Sequence, residues 1–175
     1  TMTGLETLWL YSGYSDFDLS VLNNLSKLDK LDLIGYNISG ETRLENLNSL
    51  SLMSSTYSAE TIAESFPSLT ELEFYFIDEE LDFTPFSRLE SMKILELKHT
   101  SAKGIDSFSA LINLETFAFM PLPQRNILLE DISFLKPLDN LKQFDTYKNV
   151  LSDEQKAQLL KWHSQCKITE YDFAI

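Results

Sequence analysis

Apolar residues recur along the chain at the first, fourth and sixth positions of a short segment that is repeated seven times. The copies are LETLWL from Leu5, LDKLDL from Leu28, LNSLSL from Leu47, LTELEF from Leu69, MKILEL from Met92, LETFAF from Leu114 and LKQFDT from Leu141, the last with threonine at its sixth position. Consecutive copies start 23, 19, 22, 23, 22 and 27 residues apart. This regular step predicts a repeat protein, in which each unit buries its apolar edge only against its neighbours.

Each unit contains the signals of a strand and of a short helical return. The last three residues of each copy alternate apolar and polar, as in a strand with one buried face. Between copies, stretches such as SAETIAESFPS and IDSFSALIN place apolar residues three or four apart, as on a short helix. Only five Gly and five Pro are present, so no flexible linker is indicated. We predict one domain, residues 1–175, with seven repeats at about 5–149.

The regular step stops after Asn149, and the segment 150–175 predicts a different unit. Ser152 and Gln155 match a capping box, and good helix formers follow to about His163. Alternation in KITEYDF then predicts a final strand. A helix and a strand placed here would cap the end of the solenoid and cover its core.

Two of the units, GIDSFSALINLETFAF and EDISFLKPLDNLKQF, resemble the repeat of about 22 residues of internalin-like bacterial leucine-rich repeat proteins. The helix followed by Cys166 and Ile168 resembles the Cys-x-Ile end unit of many such proteins. The resemblance covers residues 5–149 and implies an α/β solenoid. Its curved parallel sheet would form the concave face, short helices and turns the convex face, and a helix and strand the C-terminal cap.

One position departs from the family pattern, which commonly places an asparagine ladder three residues after the last strand leucine. Here the equivalent residues are Tyr36, Ser55, Ile77, Thr100, Leu122 and Asn149. We therefore expect hydroxyl groups to replace most of that ladder and the turns to be irregular.

The charge balance bears on the type of partner. The chain has 27 acidic against 14 basic residues, a formal net charge of -13, and no Lys/Arg cluster. Phosphate binding needs concentrated positive charge, so nucleic acid is not an expected partner. A basic protein partner is favoured by complementary fields, although an acidic surface also serves solubility alone.

Cysteine content and hydropathy bear on the compartment. Cys166 is the only cysteine, so an internal disulfide is impossible and a reducing compartment is favoured. No apolar run approaches about 20 residues, so no membrane insertion is predicted. These features favour the cytoplasm and a monomer. Removal of a signal from before Thr1 would instead make the protein secreted or surface-bound.

No constellation for catalysis, metal binding or cofactor binding is found among the residue patterns. His99 is interpreted as a solvent-facing turn residue. His163 and Cys166 are three residues apart and match two metal ligands, but no second pair exists, so Cys166 is interpreted as a small hydrophobe under the cap. Nucleotide-binding and hydrolase motifs are absent from the sequence. We therefore predict a non-enzymatic protein without cofactor or metal.

The residues that alternate with the buried leucines are predicted to point out of the concave face. We expect a partner to contact exposed rings, acidic side chains and two methionines there, together with one arginine from a loop. The predicted residues are Trp9, Tyr11, Asp32, Met53, Glu71, Glu73, Tyr75, Glu96, Met120, Arg125, Asp145 and Tyr147. Three of them, Glu71, Glu73 and Glu96, would form a like-charged patch, for which Lys98 is the candidate counter-ion.

The segment FMPLPQRN from Phe119 lengthens the sixth unit to 27 residues. Insertions in repeat proteins lie in loops, frequently on the binding side, and prolines would stiffen this one. A tolerated insertion without function is the alternative.

The expected function is binding of a basic protein on the concave face, as in an inhibitor or immunity-type protein. The alternatives are an internalin-like adhesion module and a self-assembling scaffold that pairs through the N-terminal edge.

Overall fold

The computed structural model describes residues 2–76, 81–99, 102–122 and 129–173, which form an open solenoid around one parallel sheet. Eight strands form the sheet, in the order β1-β2-β3-β4-β6-β8-β9-β10, and every neighbouring pair is parallel. They are β1 (Thr7–Asp18), β2 (Lys30–Ser39), β3 (Ser49–Met53), β4 (Glu71–Tyr75), β6 (Ile94–Lys98), β8 (Thr116–Met120), β9 (Gln143–Tyr147) and β10 (Lys167–Tyr171). The predicted leucine-rich repeat solenoid is confirmed.

The return segments are short helices, as the apolar spacing predicts. One is the α-helix α1 (Ala59–Ser65), which Ser58 caps through its side chain. The others within the described residues are 3-10 helices at Leu19–Leu22, Thr84–Arg88, Ile105–Ala110 and Ser133–Leu135. A second, two-stranded sheet of β5 (Leu81–Asp82) and β7 (Ala102–Lys103), which the sequence did not indicate, joins two of these returns.

The C-terminal unit forms as predicted. Helix α2 (Asp153–Trp162) begins with a complete capping box between Ser152 and Gln155. Strand β10 then pairs with β9 in continuous register. None of the helices in the described ranges is long and apolar enough to cross a bilayer.

In-register strands stack equivalent apolar residues into one core. Leu31, Leu50, Leu72 and Leu95 are paired strand by strand and are at most 1% exposed. The core changes composition along the solenoid, because the equivalent position in β8 is Phe117 and large rings dominate beyond β4. Burial of such side chains contributes about 1.5–3 kcal/mol each, so the stack is the main source of stability.

The residue two positions after the last core-facing apolar residue of the strand has the same backbone conformation in four consecutive repeats. Gly35, Ser54, Phe76 and His99 all have a positive φ there, between 48° and 75°. The N–H groups of Ser54, Phe76 and His99 then donate to the last strand carbonyl of the next repeat, at 2.6 to 3.2 Å. We call this the left-handed turn row.

Pro121 occupies the same position after β8 and cannot follow the pattern. Its ring fixes φ near -65° and it has no N–H to donate. The β8–β9 pairing accordingly ends at Phe119↔Thr146, one residue earlier than the pairing of β6 with β8. The longer sixth unit thus begins where the chain leaves the repeat's turn. Residues 123–128 lie outside the described residues.

A hydroxyl replaces the asparagine ladder at Ser55, as expected. Its buried Oγ accepts from the Tyr36 N–H at 3.1 Å and lies 3.0 Å from the Met53 carbonyl, to which it donates. Ile77 and Thr100, two other positions of that predicted ladder, are outside the described residues.

Candidate functional site

Four carboxylates from the strands β2, β4 and β6 form an acidic patch on the concave face: Asp32, Glu71, Glu73 and Glu96. Strand register places Asp32 opposite Ser51, Ser51 opposite Glu73 and Glu73 opposite Glu96. Alternation along each strand directs these side chains away from the leucine core. The like-charged row predicted from the sequence is therefore present.

Lys98 is the counter-ion of this patch, as proposed from the sequence. Its Nζ lies 2.9 Å from Glu73 Oε1 and 2.5 Å from Glu96 Oε2. Burial by itself lowers the pKa of Lys98, but hydrogen bonds to Glu96 and Glu73 outweigh that effect and raise it above its ordinary value. One ammonium thus serves two carboxylates.

The other carboxylates are less well compensated. The Lys30 ammonium is 3.9 Å from Asp32 Oδ2, at the limit of an ion pair. Burial raises the pKa of Asp32, Lys30 opposes this, and Glu73 adds to it by repulsion. Glu71 is exposed and makes no ion pair with any described residue. With Lys30 and Lys98 counted, the patch carries more negative than positive charge.

Small residues on β3 open a hollow beside the patch. Ser49 and Ser51 occupy the outward positions of that strand, between the longer side chains of β2 and β4. The hollow has a volume of about 210 Å³ and is lined by Lys30, Ser49, Leu50, Ser51, Glu71, Leu72, Glu73, Ile94 and Glu96. Its lining combines three carboxylates with the Lys30 ammonium and two serine hydroxyl groups.

An aromatic rim cluster, formed by Tyr75, Phe76, His99, Tyr147 and Phe173, lies where the strands end. The His99 ring is at its centre: it stacks on Tyr75 with centroids 5.1 Å apart and meets the edge of Phe76 at 4.6 Å. Tyr147 and Phe173 approach His99 at 5.9 and 6.0 Å and pack edge-to-face on each other at 5.4 Å. Tyr75 and Tyr147 are the last residues of β4 and β9. Phe76 and His99 follow β4 and β6 directly, and Phe173 follows β10.

His99 is not the solvent-facing turn residue that the sequence predicted. It is partly buried, and its Nε2 lies 2.5 Å from the Tyr147 hydroxyl. Burial among the rings lowers the pKa of His99 below its ordinary value, so the neutral imidazole is favoured. The prediction was wrong because His99 and Tyr147 are 48 residues apart and meet only through the fold.

The other predicted concave residues differ in exposure. Trp9 and Tyr11 are 72% and 79% exposed on the edge strand β1, whereas Met53 and Met120 are partly buried between neighbouring side chains. Arg125 lies outside the described residues.

Asp145 requires a correction, because it is buried rather than presented outward. It is only 7% exposed, and Gln143 donates to its Oδ2 at 2.6 Å. The neighbouring Ala118 is also enclosed, at 1% exposure. The concave face is therefore open in its middle and closed near the C-terminal cap.

Sequence reasoning missed three members of the rim cluster: Phe76, His99 and Phe173. Each lies outside the alternating strand positions from which the concave residues were chosen. A usable signal was the aromatic ring directly after β4 and directly after β6, since the equivalent positions of the two preceding repeats are Gly35 and Ser54.

His163 and Cys166 pack structurally under the cap. His163 is buried, and its Nε2 lies 2.8 Å from the Leu135 carbonyl oxygen. Burial raises the pKa of the Cys166 thiol to about 11, and the Asp145 carboxylate adds to the effect. Among the described residues, no group of three His, Cys, Asp or Glu side chains is placed to hold a metal ion.

Comparisons with known proteins identify the fold. No family model and no curated protein sequence matches the chain. Internalin C2 from Listeria monocytogenes superposes with a TM-score of 0.63 at 19% identity, over 97% of this chain and 82% of that one. The L. monocytogenes internalin F gives 0.50 at 17%, over 99% and 63%. A leucine-rich repeat protein from Leptospira interrogans gives 0.44 at 18%, over 96% and 38%. The likeness to the two internalins shows that this chain has the leucine-rich repeat fold.

Proposed function

We propose that the chain is a non-enzymatic interaction module that binds a basic protein on its concave face. The acidic patch carries this proposal, since two lysines pair with three of its four carboxylates, and Glu71, Glu73 and Glu96 line a hollow of about 210 Å³. A protein partner with exposed cationic side chains complements both the charge and the shape. Repeat solenoids commonly bind on such extended concave surfaces.

Charge reversal on the patch tests the proposal. The partner is captured from a lysate of the source organism, identified, and then titrated against the protein at two salt concentrations. The variant Glu73→Lys/Glu96→Lys is expected to lose binding by at least about a hundredfold, because it turns attraction into repulsion at a partly desolvated surface. The convex-face variant Glu64→Lys/Asp106→Lys changes the same number of charges and should affect binding only weakly. Equal affinities of both variants and the wild type would refute the concave site.

Within this proposal, an inhibitor or immunity-type role fits the acidic charge and the small size of the chain. Such a role predicts that the captured partner loses its own activity when bound. An activity assay of that partner with and without this protein decides the point, and a partner that stays fully active would exclude inhibition.

An adhesion role is the second candidate, and the structural likeness to two internalins favours it. It requires that the protein be secreted or held at the cell surface. Fractionation of the source cells, with the protein detected by antibody, separates this role from a cytoplasmic one.

A self-assembling scaffold is the third candidate, favoured by the exposed rings on β1. Trp9, Tyr11 and Tyr14 are each more than 70% exposed on this edge strand. Unpaired edge strands can pair with another chain. Light scattering tests this: a scaffold forms a dimer or larger assembly that Trp9→Ala weakens, while a binding module is a monomer.

A further inference from the structure

The aromatic rim cluster is built on backbone that large side chains normally avoid. Phe76 and His99 belong to the left-handed turn row, with φ of 55° and 54°. Non-glycine residues there cost about 1–2 kcal/mol, and a bulky ring in this region is uncommon. Strained residues of this kind concentrate at functional sites, where other interactions hold them in place.

These rings are also exposed, which packing alone does not require. Phe76 is 46% and Phe173 is 37% exposed, although both pack on His99. The cluster therefore presents an aromatic surface to solvent. The faces of aromatic rings carry partial negative charge, which attracts cations.

The Lys98 ammonium lies beside this surface, and two carboxylates that pair with it lie one strand row further along the concave face. On β4, Tyr75 follows Glu73 by two residues and so projects from the same face, roughly 7 Å away along the strand. On β6, the Glu96 carboxylate and the Lys98 ammonium lie next to the His99 turn. Because its pKa is lowered, His99 adds no positive charge at neutral pH. Two carboxylates, Glu73 and Glu96, stand against the single Lys98 ammonium, so the surroundings carry a net negative charge that complements a cationic group.

We propose that the aromatic rim cluster binds an arginine side chain of the basic partner, whose guanidinium plane lies on the rings and reaches toward Glu73 and Glu96. The inference rests on the proposed function and specifies which part of the partner anchors it. Arginine matches better than lysine, because its planar, weakly hydrated guanidinium stacks on rings and also donates to carboxylates. An ammonium has no plane to stack and is more strongly hydrated.

The probe is a synthetic peptide, acetyl-Gly-Arg-Gly-Arg-Gly-amide, titrated by NMR against the full chain. Its first control replaces both arginines by citrulline, which has the same shape without charge, and its second replaces them by lysine. We expect the arginine peptide to bind more tightly than either control, with shifts in the Tyr75 and Tyr147 ring signals. Equal affinity for the lysine peptide would overturn the arginine assignment.

Two variants test the cluster without disturbing the core. Phe76→Gly removes a ring and places the residue best suited to the left-handed turn there, so the fold should be retained. Phe173→Ala removes a second ring from an exposed segment. Each variant should bind the arginine peptide about threefold to thirtyfold more weakly than the wild type, as expected for loss of a cation–π contact. Thermal melts of both variants confirm folding before titration.

The outcomes separate this inference from the proposed function. If both ring variants bind the arginine peptide as the wild type does while Glu73→Gln/Glu96→Gln binds it more weakly, the rim assignment fails and the acidic patch stands. If the charge-neutralised variant also binds normally, neither the rim assignment nor the patch describes the binding surface.

Discussion

The N-terminal edge and the aromatic rim cluster both expose rings, but they do so in different ways. On β1, Trp9 and Tyr11 are more exposed than any ring of the rim cluster, and they extend from a single strand. In the rim cluster, rings from separate repeats contact one another, and Phe76 is held in a left-handed backbone. The exposed rings of β1 lie at the edge of the sheet, where no further strand covers the core. The rim rings contact one another, and two of them are held on strained backbone.

The N-terminal edge also differs from the middle of the sheet in how well its core is packed. This difference gives the largest expected effect on stability. Leu52 and Leu10 occupy the same repeat position, but Leu52 is fully buried between two strands while Leu10 is only partly buried at the edge. Leu52→Ala should lower the free energy of unfolding by about 2–5 kcal/mol, and Leu10→Ala by roughly 1–2 kcal/mol. Urea unfolding followed by circular dichroism measures both. Equal losses would mean that the edge is as well packed as the middle.

The left-handed turn row gives the second test, because Gly35 and Phe76 share one backbone conformation. A Cβ on Gly35 would lie 2.2 Å from the Ser12 carbonyl oxygen. Gly35→Ala should therefore destabilise the protein by about 2–4 kcal/mol, the sum of backbone strain and overpacking.

Phe76→Gly is the change to compare with Gly35→Ala, because Phe76 is the equivalent residue in the rim cluster. Relief of strain offsets the lost ring contacts, so the free energy of unfolding should stay within about 1 kcal/mol of the wild type. Thermal melts of the two variants provide the measurement. A large loss for Phe76→Gly would show that the ring is a structural element rather than a strained surface group.

Removing one ring from each region gives the third test. Tyr147→Ala deletes a ring that packs on His99 and Phe173 and bonds the imidazole, so a loss of about 2 kcal/mol is expected. Trp9→Ala should change stability by less than about 0.5 kcal/mol, because Trp9 is 72% exposed. Tyr147→Phe isolates the hydroxyl contribution. If Tyr147→Ala left the free energy of unfolding unchanged, the rings of the rim cluster would not stabilise one another.

The sequence predicts the repeats but not the rim cluster, for physical reasons. Alternation around Leu72 and Leu95 reports directly on which side chains are buried, because strand geometry has a period of two. In the sequence, only Gly35 indicates the left-handed turn row, since Phe76 and His99 have no local preference for that conformation. Their association depends on contacts between repeats, which no single segment encodes.

Burial at Asp145 also escaped prediction, because it depends on side chains rather than on strand alternation. Alternation places Asp145 on the concave face, where the aligned Glu73 and Glu96 remain partly exposed. Gln143 then folds onto its carboxylate and helps to enclose it. Such enclosure depends on the rotamers of neighbouring residues and on curvature, neither of which the apolar pattern reports.

The smallest expected effect is on the pH dependence of stability, and it distinguishes the rim cluster from the N-terminal edge. Burial lowers the pKa of His99 below its ordinary 6.5, so the folded state binds this proton less readily than the unfolded chain. The stability that His99 contributes is therefore present above pH 6.5 and lost as the pH falls through its folded pKa. The groups that face the ring are Tyr75, Phe76, Tyr147, Phe173 and the adjacent Lys98.

His99→Gln should flatten the pH dependence of unfolding between pH 7.5 and 5, with a change of less than about 1 kcal/mol. Trp9→Ala should leave that dependence as in the wild type, because the N-terminal edge contains no histidine. Urea titrations at both pH values provide the comparison. A His99→Gln profile identical to that of the wild type would show that His99 does not titrate differently on folding.

Lys98 has a further consequence for selectivity. Its ammonium already occupies the space between Glu73 and Glu96, so the protein holds a competitor of its own against any incoming cation. A lone monovalent ion or free lysine that displaced it would exchange one such pair for another and gain little. In the proposed binding mode, an arginine would instead bind beside Lys98, with its flat guanidinium group on the rings. Under that proposal, competition from Lys98 would make the acidic surface selective against small isolated cations.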